Sequence, residues 1–444
     1  MTTITVAGSA SEQGDRDAAI RKVWWRLIPF LFVLYIFNYL DRINIGFAAL
    51  SMNKDLVLTA TTFGLANSIF YVGYVACEIP SNLLMVRYGA RVWIARILIS
   101  WGLASAATML VVGPNSLYVI RFLVGVLEAG FVPGVLLYLT YWIPNSHRAR
   151  ANGYLMMAQP AAMALGAGVS GLILDHLNGV LGLQGWRWLF LLEGLPAVFL
   201  GMVAYVYLTD KPKNAAWLEE TEKNTVTSLL VDDPSSSGRH AKASVWKQVT
   251  EPKILLLALA YFCLVNTINA NATWIPTIVR EVLKAYSLSQ VGFVTAVPAV
   301  CALILMPLWT RSSDRMQERV WHVVAALGMA AAGWLLVIFF PAPELRLVGL
   351  IFTVSGAFCA MCTFWTLPQS LLSEAARPAG IGLISAVGLL GSAVSPAVIG
   401  FLRDATGNFS AGLFYVTALL AVAIVLVLIV SRLRPVAARG VAPG

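Results

Sequence analysis

Blocks of about twenty mostly apolar residues alternate with short polar stretches along the whole chain. The blocks lie at roughly 25–50, 60–86, 92–112, 116–143, 151–175, 186–208, 254–280, 289–310, 320–340, 345–372, 379–402 and 409–431. About twenty residues at 1.5 Å each is the length that crosses roughly 30 Å of hydrocarbon. In that solvent every backbone N–H and C=O must find its partner within the segment, so blocks of this length are predicted to be helices. A transmembrane barrel would show short alternating strands instead. The pattern therefore predicts an all-α membrane protein with twelve transmembrane helices, numbered here as spans 1 to 12.

Composition sharpens this picture. Of the 444 residues 59% are hydrophobic and 12% charged, against about 45–50% and about 25% in soluble proteins. Mean hydropathy is +0.76. The net charge of +9 would suit a nucleic-acid partner, but its distribution points elsewhere. Lys54, Arg187, Arg280, Lys284, Arg346 and Arg403 fall on one side of the twelve spans. Arg42 and Arg121 fall within spans, and the rest of the 31 Lys and Arg fall on the side of the two termini and the central loop. This bias is the positive-inside pattern. It predicts cytoplasmic termini, a cytoplasmic central loop and no nucleic-acid partner. Cys77, Cys263, Cys301, Cys359 and Cys362 all lie in apolar blocks with no ligand cluster around them, so neither metal, redox chemistry nor another cofactor is expected. The polar start of the chain lacks a cleavage site and reads as a cytoplasmic tail, not a signal peptide.

Six blocks precede residue 209 and six follow residue 253. The organisation expected is a tail at 1–22, a six-helix bundle at 23–208, a cytoplasmic loop at 209–252, a second bundle at 253–432 and a tail at 433–444. Within the loop, the Asp-Asp-Pro-Ser-Ser-Ser-Gly run at 232–238 reads as a flexible linker. The six-plus-six layout suggests two pseudo-symmetric bundles, as in major facilitator transporters. The loop after span 2 carries Arg87 and Arg91; the loop after span 8 carries Asp314, Arg315 and Arg319. Both resemble the major facilitator pattern GxxxDRxGRR, a cytoplasmic latch, although Val86 replaces its Asp and Thr310 its first Gly. The alternative is two ordinary positive-inside loops.

Charges inside the apolar blocks cost about 2.5–3.5 kcal/mol each at mid-membrane, so they must pair or face water. Span 1 contains Asn38-Tyr39-Leu40-Asp41-Arg42. Span 4 contains Arg121 and, two turns later on the same face, Glu128. Span 5 contains Gln159 beside Pro160. Guanidinium groups stay charged and bind carboxylates bidentately, which suits an anionic substrate. Buried carboxyl groups suit proton uptake and release. A second reading remains open from spacing alone: static pairs Asp41–Arg42 and Arg121–Glu128 that hold helices in register. Glu78 and Glu193, near a helix end and a Gly-Pro break, read as structural. His147, His176, His240 and His322 lie in loops or at span ends, which leaves the carboxylates as proton carriers. Asn266 and Asn269 share a face of span 7 and could bind substrate or neighbouring helices. Trp365 in span 10 could wall a cavity or only pack.

The stretches Asn38–Arg42, Glu78-Ile79-Pro80-Ser81-Asn82, Arg121–Gly125 through Glu128-Ala129-Gly130, Gly185–Phe190 and Phe364–Pro368 resemble the anion:cation symporter family of the major facilitator superfamily over about residues 22–432. That family includes bacterial permeases for galactonate, tartrate, phthalate and hydroxyphenylacetate, so the resemblance implies a bacterial inner-membrane location. The resemblance implies Asp41 and Glu128 as proton-binding carboxylates, Arg42 on the substrate carboxylate and Arg121 coupled to Glu128. It implies Gln159 and Tyr74 as substrate contacts and Trp365 where the second half closes over the ligand; Tyr39, Asn269 and Ser385 join the expected substrate-binding set. Sugar-acid members often read Ile-Asn-Ser-Ile-Gly-Asn in span 11. Here Ser385 and Leu389 stand in place of the amides, so a less hydroxylated acid, aromatic or dicarboxylic, is expected.

The reading is a monomeric secondary transporter in a lipid bilayer that takes up a small organic anion with protons by alternating access. Span 5 lacks the GPxxGG pattern of proton antiporters, but an exporter or exchanger on the same fold remains the alternative. An anion sensor would need a signalling domain, and an enzyme a nucleophile–base set or metal cluster; the sequence offers none of these.

Overall fold

The computed structural model describes residues 4–231, 248–372 and 376–433. Twelve helices among them are long and apolar enough to cross a membrane: Arg16–Asp55, Ala60–Tyr88, Ala90–Leu110, Pro114–Thr140, Ser146–His176, Gly185–Tyr207, Pro252–Val282, Leu288–Met316, Val320–Phe339, Pro343–Leu371, Ala379–Thr406 and Ser410–Arg432. These match the twelve apolar blocks one for one. The main difference is at the start, where the first helix extends back to Ile4 instead of beginning near residue 25. Large apolar side chains such as Val72, Phe199, Phe293 and Ile304 point outward and are more than half exposed. An apolar exterior of this kind needs lipid as its solvent.

Three spans are interrupted, each three or four residues before a proline. Span 4 stops at Glu128 and restarts at Phe131, with Pro133 beyond. Span 5 changes at Met157, ahead of Pro160. Span 10 changes at Trp365, ahead of Pro368. A proline ring clashes with the carbonyl four residues earlier and lacks the N–H that would bond to it, which explains the position of each break. In span 4 the break is completed by Gly130 at φ +85°, where a Cβ would also strike Ser81 Oγ at 2.5 Å. Seven other helix-internal prolines, Pro29, Pro80, Pro196, Pro276, Pro298, Pro307 and Pro396, leave their helices continuous.

Spans 1–6 and 7–12 form two bundles, and their closest approach lies at the end away from the termini. There span 2 packs on span 11, and span 5 on span 8. These two contacts exchange under the six-span repeat. Gly64 backs directly onto the Pro396 carbonyl, and Gly292 onto that of Ala167, with no room for a side chain at either. Each contact is fastened by an aspartate at a helix N-terminus. Asp404 of span 11 accepts from the Ala60 and Thr61 amides at 3.1 and 2.7 Å and from Thr61 Oγ1 at 2.6 Å. Asp175 of span 5 accepts from Ser289 Oγ at 2.7 Å and more distantly from the Ser289 amide. A carboxylate at these positions satisfies orphan amides and complements the helix dipole.

The central loop is less of a linker than its composition suggests. Its first part forms a 3₁₀ turn at Pro212–Asn214 and a helix at Glu220–Val231 that return to the first bundle. Trp217 stacks on Trp142, the Arg26 guanidinium lies over both Tyr207 and Trp217, and Lys22 Nζ bonds Glu222 at 2.7 Å. That ion pair holds the Glu222 carboxyl below its usual range. Aromatic and cation–π contacts, invisible to a composition reading, fold this part back. The Asp-Asp-Pro-Ser-Ser-Ser-Gly run lies outside the described residues.

Candidate functional site

The charged residues of spans 1 and 4 meet in the interior of the first bundle. Glu128, at the last residue before the span 4 break, is completely buried. Its Oε1 accepts from Arg42 Nε at 2.6 Å and from Asn38 Nδ2 at 2.8 Å. The partnership is therefore Arg42–Glu128, between spans, and not the Asp41–Arg42 and Arg121–Glu128 pairs that spacing suggested. Two helical turns rise about 10 Å, which shares a face but exceeds ion-pair reach. Arg42 and Glu128 each keep a buried atom without a partner, Nη2 and Oε2 respectively. The Arg42 guanidinium also lies over Tyr74, 4.8 Å from the ring centroid.

Asp41 sits one residue away in a different environment. Its carboxylate accepts from Trp101 Nε1 at 2.6 Å, Ser105 Oγ at 2.8 Å and Asn44 Nδ2 at 3.1 Å. Trp101 and Ser105 are four residues apart and so share a face of span 3. Arg121 is buried over the Phe70 ring at 4.7 Å, with its Nε unpartnered. Two guanidiniums with donors to spare thus lie beside two carboxylates, and the local charges nearly balance. The requirement that buried charge be paired or hydrogen-bonded is met by the first pair and by Asp41.

The other expected residues divide by location. Gln159 donates to Tyr35 Oη at 2.7 Å. Trp365, half-buried at the span 10 break, packs 4.8 Å from Tyr261, which stacks on Phe364; its indole nitrogen has no partner. Tyr39 is buried. Asn269 bridges the bundles: its Oδ1 accepts from Tyr71 Oη at 2.9 Å and its Nδ2 donates to Ser392 Oγ at 2.6 Å. Asn266 instead bonds Tyr415 within the second bundle. Ser385 is half-buried, one turn before Leu389, which packs against the cluster that contains Phe70, Tyr71 and Tyr74. Asn38, Tyr71, Trp101, Ser105 and Ser392 carry contacts that the sequence reading assigned to none of them. Their signal was a polar or amphipathic side chain inside an apolar run, a pattern shared by many residues that only join helices.

The loop residues Arg87, Arg91, Asp314 and Arg319 make contacts within their own halves. Arg91 bonds the Tyr205 carbonyl and, through its amide, Asp210; Arg87 lies over Tyr88. Asp314 pairs with Arg319 at 2.6 Å, and Arg315 lies in the last turn of span 8.

Twelve spans in two halves, with Asp41, Arg121, Glu128 and Glu193 buried among them, make this a multi-pass membrane protein. The chain belongs to the Major Facilitator Superfamily, whose model matches residues 31–396 and 285–443. It is 41% identical to a putative tartrate transporter of Agrobacterium vitis, over 95% of this chain and 93% of the relative. It is 37% identical to a quinolone resistance transporter of Acinetobacter baumannii, over 93% and 94% of the two chains. Among solved structures, a bacterial homologue of the human lysosomal transporter Spinster, inward-facing and unoccupied, superposes with a TM-score of 0.76. It is 16% identical and covers 93% of this chain and 97% of that one.

Proposed function

We propose that the protein imports a small organic anion together with protons, by alternating access of its two bundles. One observation carries this reading: the buried Arg42–Glu128 pair, in which one guanidinium is held by a protonatable carboxylate while Nη2 stays unpartnered. A substrate carboxylate and the Glu128 carboxylate would compete for Arg42. Protonating Glu128 removes its charge, releases the guanidinium and favours the anion; losing the anion favours deprotonation and restoration of the pair. Proton and anion binding are then linked, and each strengthens the other by the same factor. Arg121, with a free Nε over Phe70, supplies a second positive centre, and Asp41 a second proton carrier. Gln159, Tyr74, Tyr39, Asn269, Trp365 and Ser385 line the path between the halves.

A tartrate-transporting relative supports a carboxylate substrate. Leu389 at the Tyr71–Tyr74 cluster adds an apolar wall where amides would suit sugar hydroxyls, which favours an aromatic or dicarboxylic acid. With the termini and central loop in the cytoplasm, as the charge bias suggests, the tight end faces outward and the site is approached from inside. Arg87, Arg91, Asp314, Arg315 and Arg319 would latch the other end in the opposite state. The protein acts as a monomer in this scheme.

The quinolone resistance relative favours a second reading, export on the same fold. Uptake of labelled tartrate, phthalate and galactonate into proteoliposomes under an inward proton gradient separates them. Import predicts accumulation of tartrate or phthalate that collapses with a protonophore. Efflux of a preloaded quinolone under the same gradient, with no acid accumulated, would reverse the assignment.

A further inference from the structure

Glu193 lies in the middle of span 6 and is only 4% exposed. Its neighbour Gly194 is pressed against Gly102 and Ala106 of span 3, so the side chain is fixed at a tight helix seam. The groups that face it are Ser170 from span 5 and Asn44 and Asp41 from span 1. Span 3 presents Trp101 and Ser105 to Asp41. The guanidiniums of the region face other groups: Arg42 bonds Glu128, and Arg121 lies over Phe70 near Glu128 and Asp41. Among the described residues, no cation lies beside Glu193.

Its hydrogen bonding is incomplete as well. Oε1 accepts from Ser170 Oγ at 2.7 Å, while Oε2 is buried without a partner. The Asn44 side chain reaches both carboxyl groups. Its Nδ2 donates to Asp41 Oδ1 at 3.1 Å, and its own Oδ1 is buried without a donor. An ionised Glu193 would leave Oε2 as a buried acceptor with nothing to accept, at a charge buried without a counter-ion among the described residues. A proton on Oε2 removes that charge and the need for a donor. Asp41, with three donors, is the member of the pair suited to hold the negative charge.

We infer that Glu193 is a third proton-carrying carboxyl of the transport cycle, coupled to Asp41 through the Asn44 amide. In this conformation Glu193 holds the proton and Asp41 the charge. When the Asp41 surroundings change as the bundles rock, the proton is redistributed across the pair, and the two groups titrate as one coupled set. This inference rests on the proton-coupled reading above.

The test is the proton-to-acid ratio in proteoliposomes holding the full chain, from reversal potentials for whichever of tartrate, phthalate or galactonate the wild type accumulates. Glu193→Gln mimics a permanently protonated acid. The expected result is one proton fewer per acid and a flattened pH dependence of uptake. An unchanged ratio and pH profile would make Glu193 a static hydrogen-bonding acid and overturn the inference, leaving the symport reading intact. If the wild type accumulates no acid under a proton gradient, the symport reading falls and this inference with it. Should Glu193→Gln fail to fold, Ser170→Ala removes the 2.7 Å hydrogen bond from Ser170 Oγ to the Glu193 carboxylate. A pH midpoint of uptake displaced by about half a unit or more supports the inference, and an undisturbed midpoint overturns it.

Discussion

Arg42 answers two demands with one side chain: it neutralises a carboxylate that would otherwise be buried alone, and it keeps part of its fork free. Removing it leaves Glu128 without its hydrogen-bonded ion-pair partner. Arg42→Ala is expected to cost about 2–5 kcal/mol in anion binding, on the order of a hundredfold or more in affinity. Arg42→Lys keeps the charge but not the planar fork, and should recover only part of that loss. Binding of the accumulated acid to purified variants, by calorimetry, checks both; a lysine variant equal to the wild type would argue against bidentate recognition. The charged residues themselves were legible, because Asp41, Arg42, Arg121 and Glu128 stand out in apolar runs. Their partners were not. Spacing describes one helix, whereas Arg42 and Glu128 meet from two spans 86 residues apart. The neighbours of Glu193, namely Ser170, Asn44 and Asp41, likewise belong to other spans.

At the scale of elements, the functional residues gather where helices are interrupted. Glu128 precedes the break in span 4, Gln159 follows the one in span 5, and Trp365 occupies the one in span 10. The prolines that cause these breaks are visible in the sequence, yet seven others leave their helices unbroken, so proline alone does not mark a break. The aspartate caps at the tight end had no local signal either. Asp404 lies more than 340 residues from the helix start it satisfies. Their placement carries a prediction. Asp404→Ala and Asp175→Ala each remove a helix cap that exists only while the bundles are closed at this end. A lost cap costs about 0.5–2 kcal/mol, enough to shift a conformational equilibrium severalfold. Spin-label distances across the tight end should broaden toward longer values in either variant, and further in the double variant. Distances identical to the wild type in both would mean that the glycine-lined helix contacts alone hold this end shut.

For the whole molecule, span number, helical class and two-bundle arrangement followed from the lengths of the apolar blocks, since hydrocarbon thickness leaves few alternatives. The folding back of residues 212–231 onto the first bundle was missed, because it depends on Trp217 meeting Arg26 and Trp142 and not on hydropathy. The proposed cycle joins these scales: rocking of the bundles changes access, while Arg42 exchanges Glu128 for substrate. The sign of the resulting pH effect is fixed. Protonation frees Arg42, so the anion binds more tightly as pH falls and more weakly as pH rises. The most direct test is the affinity of the purified protein for its accumulated acid as a function of pH, in the wild type and in Glu128→Gln. Linkage to one proton weakens wild-type binding by at most about tenfold per pH unit. The account predicts a clear slope of this sign in the wild type and a shallower one in Glu128→Gln, with tight binding retained at alkaline pH. Equal slopes in the two proteins, or wild-type affinity independent of pH, would contradict it.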